Sequence, residues 1–190
     1  MFSKQSLRTL TLSAGALVAG ATFALSAQAG IDAAKSTVTA TFKQMNVPVD
    51  GSFKKLNATI QFDPSNLASS KAQLDVDVAS FDLGSAEYND QVAGKDWFDA
   101  REYPHATFVS SSIKAGANGA YSVTGTLTIR GKSNNVVVPV QYHKDGNAQV
   151  FDGVLPIKRL QYGVGQGEWS DTSLVADDVQ LKFHIVSNGQ

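Results

Sequence analysis

Three histidines, two pairs of carboxylates and one glycine run are the residues of this chain that could do chemistry. His105 follows Pro104, while His143 and His184 alternate with the apolar residues Tyr142 and Phe183, so these two rings are expected to face water. A metal site needs several ligands at fixed spacing. The chain has no H-E-x-x-H run and no cysteine, and no metal ligand is assigned. A serine nucleophile needs the strained G-x-S-x-G elbow, which does not occur. Asp75/Asp77 and Asp177/Asp178 fall in strand or turn segments, where solvated faces explain them better than an acid and base pair held at separate pKa values. No catalytic residue is assigned.

The run Gly163-Val164-Gly165-Gln166-Gly167 resembles a phosphate loop only superficially. A dinucleotide fingerprint leaves a strand and opens a helix, whereas here Glu168-Trp169-Ser170-Asp171-Thr172 follows. A flexible hairpin or entrance loop is the expected structure. Asn57-Ala58-Thr59 matches a glycosylation acceptor but lies inside an alternating run, and no role is given to it.

The elements that must position these residues are strands of period two. Val38, Ala40 and Phe42 oppose Thr37, Thr39 and Thr41; Leu56, Ala58, Ile60 and Phe62 oppose Asn57, Thr59, Gln61 and Asp63. Ala72, Leu74, Val76 and Val78 form a third apolar side, with Asp75 and Asp77 facing water. The alternation returns at Tyr121 to Ile129, Val136 to Tyr142, Phe151 to Ile157 and Val179 to Ile185. Asp63-Pro64-Ser65-Asn66, Gly116 to Gly119, Arg130 to Asn135 and Lys144 to Asn147 read as turns between them. Short strands joined this way predict an antiparallel sheet, closed into a barrel or folded into a sandwich.

Residues 85–100 break the alternation, and Tyr88, Val92 and Phe98 fall near one helical face, predicting a short helix or helical loop over one end. Small residues among the inward positions (Ala40, Ala58, Ala72, Gly125, Gly153) can shape a pocket or serve tapered packing. Periodicity leaves both open.

Residues 1–29 combine Lys4 and Arg8 with an apolar run and end in Ala27-Gln28-Ala29, the pattern of a signal peptide cleaved after Ala29. The run is broken by Ser13, Gly15 and Gly20, so no integral membrane span is expected. Residues 30–190 then form one exported domain, with 14 basic against 17 acidic residues and a net charge of −3. That balance excludes the basic stripe nucleic acid requires, and no basic amphipathic helix is present to hold an anionic membrane.

Two motifs carry a family resemblance. Trp97-Phe98-Asp99-Ala100-Arg101-Glu102-Tyr103-Pro104 through Phe108 resembles the F-F-D-x-x-x-Y-P-x-x-x-F signature of the YceI-like family, and Val123 to Gly131 resembles its V-x-G-x-L-T-I-x-G segment. Gly51-Ser52-Phe53 and Ile60-Gln61-Phe62-Asp63 stand where the family has R-G-x-F and I-x-F-D. Arg159 and Tyr162 align with the R-x-x-F/Y-G element of its late hairpin. Trp97 replaces the first phenylalanine, and Asn89-Asp90-Gln91-Val92 stands in place of D-x-H-L, so that histidine is not carried over.

The resemblance implies an all-β fold: a lipocalin-like, extended eight-stranded antiparallel β-barrel with a short helical segment near one end. It further implies a periplasmic protein that holds or carries a polyisoprenoid or similar long-chain amphiphile, with an isoprenoid quinone as one such ligand. It also implies a link to stress responses and to a membrane cytochrome b561-type partner. The aromatic wall would comprise Phe42, Phe53, Phe62, Trp97, Phe98, Phe108, Tyr142 and Trp169, with Arg159, Tyr162 or Asp99 orienting a head group at the mouth. No cofactor is expected beyond the bound ligand. The competing expectations are a solid-cored structural or interaction module and an enzyme acting on a lipid.

Overall fold

The computed structural model describes residues 29–188. The expected signal peptide lies outside the described residues except for Ala29. Eleven strands follow in the order β1 (Ala29–Gly30), β2 (Thr37–Gln44), β3 (Val47–Phe53), β4 (Leu56–Gln61), β5 (Lys71–Asp77), β6 (Phe81–Asp82), β7 (His105–Ala115), β8 (Ala120–Ile129), β9 (Lys132–Asp145), β10 (Ala148–Lys158) and β11 (Asp178–Ser187), with one α-helix, α1 (Ala86–Ala93), between β6 and β7. They form one antiparallel sheet of order β1-β4-β5-β7-β8-β9-β10-β11-β2-β3-β6.

The sheet closes because three neighbouring staves are interrupted and resume on the same line. β2 pairs with β3, and β1 pairs with β4. On the other flank β6 pairs with β3 and β5 with β4, across the 3₁₀ turn Val78–Ser80. β2 lies against β11, and beyond it Ile31 bridges to Ser187 while the Asp32 amide donates to the Val186 carbonyl at 2.8 Å. Taking β1/β2, β3/β4 and β5/β6 as single staves, β7 to β11 complete an eight-stave barrel. Closure removes the open edges that would otherwise pair with other chains.

Local chemistry sets the hairpins. Met45-Asn46 and Arg130-Gly131 each connect their strands with two residues of positive φ, as a type I′ turn requires. The polar run after Arg130 was expected to be turn as far as Asn135. Instead β9 starts at Lys132, because Arg130-Gly131 alone completes the reversal. Ser133 and Asn135 then sit on the outer face, where Ser133 hydrogen-bonds Thr128 at 2.8 Å and Asn135 accepts from Thr126 at 3.2 Å.

The helix is shorter than residues 85–100, and the expected apolar face is divided. Val92 is its buried residue, Tyr88 is 57% exposed, and Phe98 lies past its end. Asn89 ties α1 to β6 by accepting from the Leu83 amide at 2.7 Å and donating to Asp82 at 3.0 Å. Beyond α1 the chain coils on itself, with the Phe98 amide donating to Val92 and that of Tyr103 to Asp99, which has φ +51°. This coil lays Trp97 and Phe98 over one end of the barrel. Among the described residues no helix is long and apolar enough to cross a membrane.

Candidate functional site

Period two sends one side chain of every stave inward, and here those side chains leave space. The lumen holds two voids of about 140 and about 110 Å³. They share Val38, Leu74, Phe108, Leu127 and Leu181, which form a waist between two adjoining lobes of the lumen. Lys71 and Gln73, both exposed on the outward side of β5, are among the residues around the first void. No residue lining the second is exposed. We call them the outer and inner lobes. The free surface of both is wholly apolar.

Three glycines keep the lumen wide. The rings of Phe183, Phe108 and Phe81 lie against the wall over Gly153, Gly125 and Gly51, where an added Cβ would overlap them. Such pairs belong to three levels of the channel. Phe183 lines the outer lobe, Phe108 the waist and Phe81 the inner lobe. Ala58 and Ala72 in the outer lobe and Ala40 in the inner one add room in the same way. The small inward residues therefore shape space as well as packing.

The inner end is sealed by a plug built on arginine. Arg159 opens the 3₁₀ turn Arg159–Tyr162 after β10 and is only 3% exposed. Its Nε donates to the Ala176 carbonyl at 3.0 Å. Nη1 donates to Val164 and Gly165 at 2.8 and 3.2 Å, and Nη2 to Trp169 and Val175, both at 2.6 Å. All five N–H donors of the guanidinium are thus engaged. Its carbon also lies 5.8 Å from the centre of the Trp97 ring. Burial pulls its pKa down, and the neighbouring Asp177 carboxylate partly restores it. Arg130 reinforces the plug through the carbonyls of Gly163 and Lys95. Tyr162, 1% exposed, has its pKa raised by burial, opposed by a hydrogen bond with Asn134.

Gly163 to Gly167 belongs to this plug. A flexible hairpin or entrance loop was expected there, but Gly163 and Gly165 are buried, and Gly163 takes the left-handed conformation that ends the 3₁₀ turn. The loop is short of side chains because Arg159 occupies the space beside Gly165, where a Cβ would strike the guanidinium.

The residues singled out in the sequence fall in three groups. Phe62 lines the outer lobe, Phe108 the waist, and Phe42, Phe53, Trp97, Phe98, Arg159 and Tyr162 the inner lobe. Tyr142 and Trp169 line neither lobe but pack on residues that do: Tyr142 on Phe62 at 4.8 Å and Phe151 at 5.4 Å, and Trp169 on Trp97 at 5.5 Å. Asp99 lines neither lobe. Phe81, Ile113, Val164 and Val175 also line the channel, and sequence reading had not singled them out. The histidines lie away from it, paired with carboxylates: His105 with Asp75 at 2.8 Å and His184 with Asp152 at 2.6 Å. Among the described residues no group of three or more acidic or histidine side chains could hold a metal ion.

An eight-stave barrel around an apolar channel, closed at one end by a buried arginine, defines a lipocalin-like barrel. The chain belongs to the YceI-like domain family, whose model matches residues 30–187. A UPF0312 protein of Pseudomonas savastanoi pv. phaseolicola is 28% identical over 193 residues, covering 96% of this chain and 97% of its own. Among solved structures, BcnA of Burkholderia cenocepacia is 60% identical with a TM-score of 0.80, over 82% of this chain and 98% of that one. A polyisoprenoid-binding domain from Saccharophagus degradans, implicated in plant cell wall breakdown, shares the fold at 18% identity with a TM-score of 0.69, over 86% of this chain and 99% of that one.

Proposed function

We propose that this protein binds a polyisoprenoid or similar long-chain amphiphile in the barrel lumen, by burial and without covalent chemistry. The observation that carries this reading is the pair of adjoining lobes in the lumen, whose free surface is wholly apolar. Burying about 400 Å² of hydrocarbon at roughly 25 cal/mol per Å² gives on the order of 10 kcal/mol. Several kcal/mol are lost to association and chain ordering, which leaves micromolar binding or better.

The same space argues against a ligand-free module. Unfilled core volume costs about 24 cal/mol per Å³, or about 3 kcal/mol for each lobe. A scaffold gains nothing from carrying that cost, whereas a binding protein recovers it when the chain enters.

Arg159 is wall rather than head-group ligand, because its donors are engaged. The polar end of the amphiphile then lies toward the outer lobe, whose surroundings include Lys71 and Gln73. An isoprenoid quinone is the finer reading, with export to the periplasm and exchange with a membrane cytochrome b561-type partner. The motif resemblance supports that reading, and the N-terminal pattern supports export. Solvent-extracted protein mixed with a prenylated benzoquinone should carry its absorbance through gel filtration. A quinone without the prenyl chain should elute separately. Equal retention of both, or of neither, would count against chain burial. N-terminal sequencing of protein recovered from the periplasmic fraction tests the export step, with Gly30 as the expected first residue.

A further inference from the structure

The three glycine-seated phenylalanines stand in series along the channel, which raises the question of what that order does. Phe183 on Gly153 is in the outer lobe, Phe108 on Gly125 is at the waist, and Phe81 on Gly51 is in the inner lobe. Along β8 the wall runs from Tyr121 in the outer lobe, past Gly125, to Ile129 in the inner lobe, on the order of 25 Å of strand. A flexible chain that enters through the outer lobe would meet the rings in turn and stop at Trp97, Arg159 and Tyr162.

We propose that these glycine–phenylalanine pairs are a length gauge, in which Gly125 keeps the waist passable and Gly51 keeps the inner lobe open, so that together they set the longest chain the barrel accepts. This rests on the lumen-binding reading above. The physical step is simple. A flat ring over a glycine occupies wall space that a Cβ would deny it, and a displaced ring has only the lumen to enter. Of the three seats, Gly51 isolates the effect best. The three atoms nearest the added Cβ all belong to the far end of the Phe81 side chain, whereas at Gly125 and Gly153 they include the backbone carbonyls of Val109 and Pro139.

The test is a titration of solvent-extracted protein with all-trans prenyl alcohols from geraniol to geranylgeraniol, read by calorimetry and by tryptophan emission, since Trp97 lines the inner lobe. Wild type should bind the longer alcohols more tightly, and only these should perturb Trp97. Gly51→Ala should leave geraniol affinity unchanged and weaken geranylgeraniol by about tenfold, the effect of returning about two methylenes to water. Adding Phe81→Leu to Gly51→Ala should restore it. Phe81→Trp, which leaves the backbone seat intact, should give the same length-selective loss and decides the matter if Gly51→Ala does not fold. Equal losses at every chain length, or none in either variant, would overturn the gauge. A wild type that binds no alcohol of the series would instead overturn the lumen-binding reading, and the gauge with it.

Discussion

Arg159 carries its charge into the inner end of the barrel and spends every donor on backbone carbonyls from Val164 to Ala176. The arginine thus organises a segment with little regular structure of its own. Arg159→Met should therefore lower stability by about 3 kcal/mol or more, since several buried carbonyls lose their partner. Arg159→Lys should recover only part, having three donors on a compact head in place of a planar five-donor fork. Urea unfolding midpoints measure both. Met45 makes a smaller case in the other direction. It is 68% exposed and held at φ +50° in the first position of a two-residue hairpin. Left-handed backbone costs a β-carbon residue about 1 kcal/mol. Met45→Asn with Asn46→Gly should recover a similar amount, read as a higher melting temperature. Sequence reading marked Arg159 through its motif but not its burial, because nothing local to Arg159 shows that five carbonyls converge on it from residues up to 17 positions away.

At the scale of elements, what was legible followed the two-residue period. The inward faces of β2, β4, β8 and β11 line the channel as the alternation of Val38, Ile60, Leu127 and Leu181 implies. Where the period is broken, the reading stopped. In β7 a bulge between Ser110 and Ser112 shifts the phase, so Phe108 and Ile113 both line the outer lobe although an odd number of positions separates them. The plug had no period to follow, which left Val164 and Val175 unread. The α1–β6 contact carries a pH signature of its own. Hydrogen bonds from Asn89, the Gly84 amide and Lys54 favour the ionised Asp82 and hold its pKa below the ordinary aspartate value. A lowered folded-state pKa contributes stability that is fully present above the ordinary aspartate range and is lost as pH falls through the lowered value. Melting temperatures of wild type and Asp82→Asn should therefore differ near neutral pH and converge in acid. A constant gap across that range would show that the carboxylate's charge contributes nothing. Asp63 and Asp171, lowered by Ser65 and Ser173, add to the same acid sensitivity of the wild type.

For the molecule as a whole, the barrel's closure and its hollowness have related causes. Interrupted staves let eight lines of backbone meet, and glycine seats let large rings cover the wall without filling the space between. The sequence shows the ingredients of the second effect, small and large inward residues side by side. Only the cross-strand register shows that Gly51, Gly125 and Gly153 lie beneath particular rings. The proposed binding of a long apolar chain follows from that space. The most direct test is native mass spectrometry of the protein purified from its own host without detergent, with solvent extraction of whatever accompanies it. The account predicts a stoichiometric prenyl lipid or quinone, released together with a mass shift to the bare chain. A protein that arrives bare, and stays bare after incubation with such lipids, would contradict it.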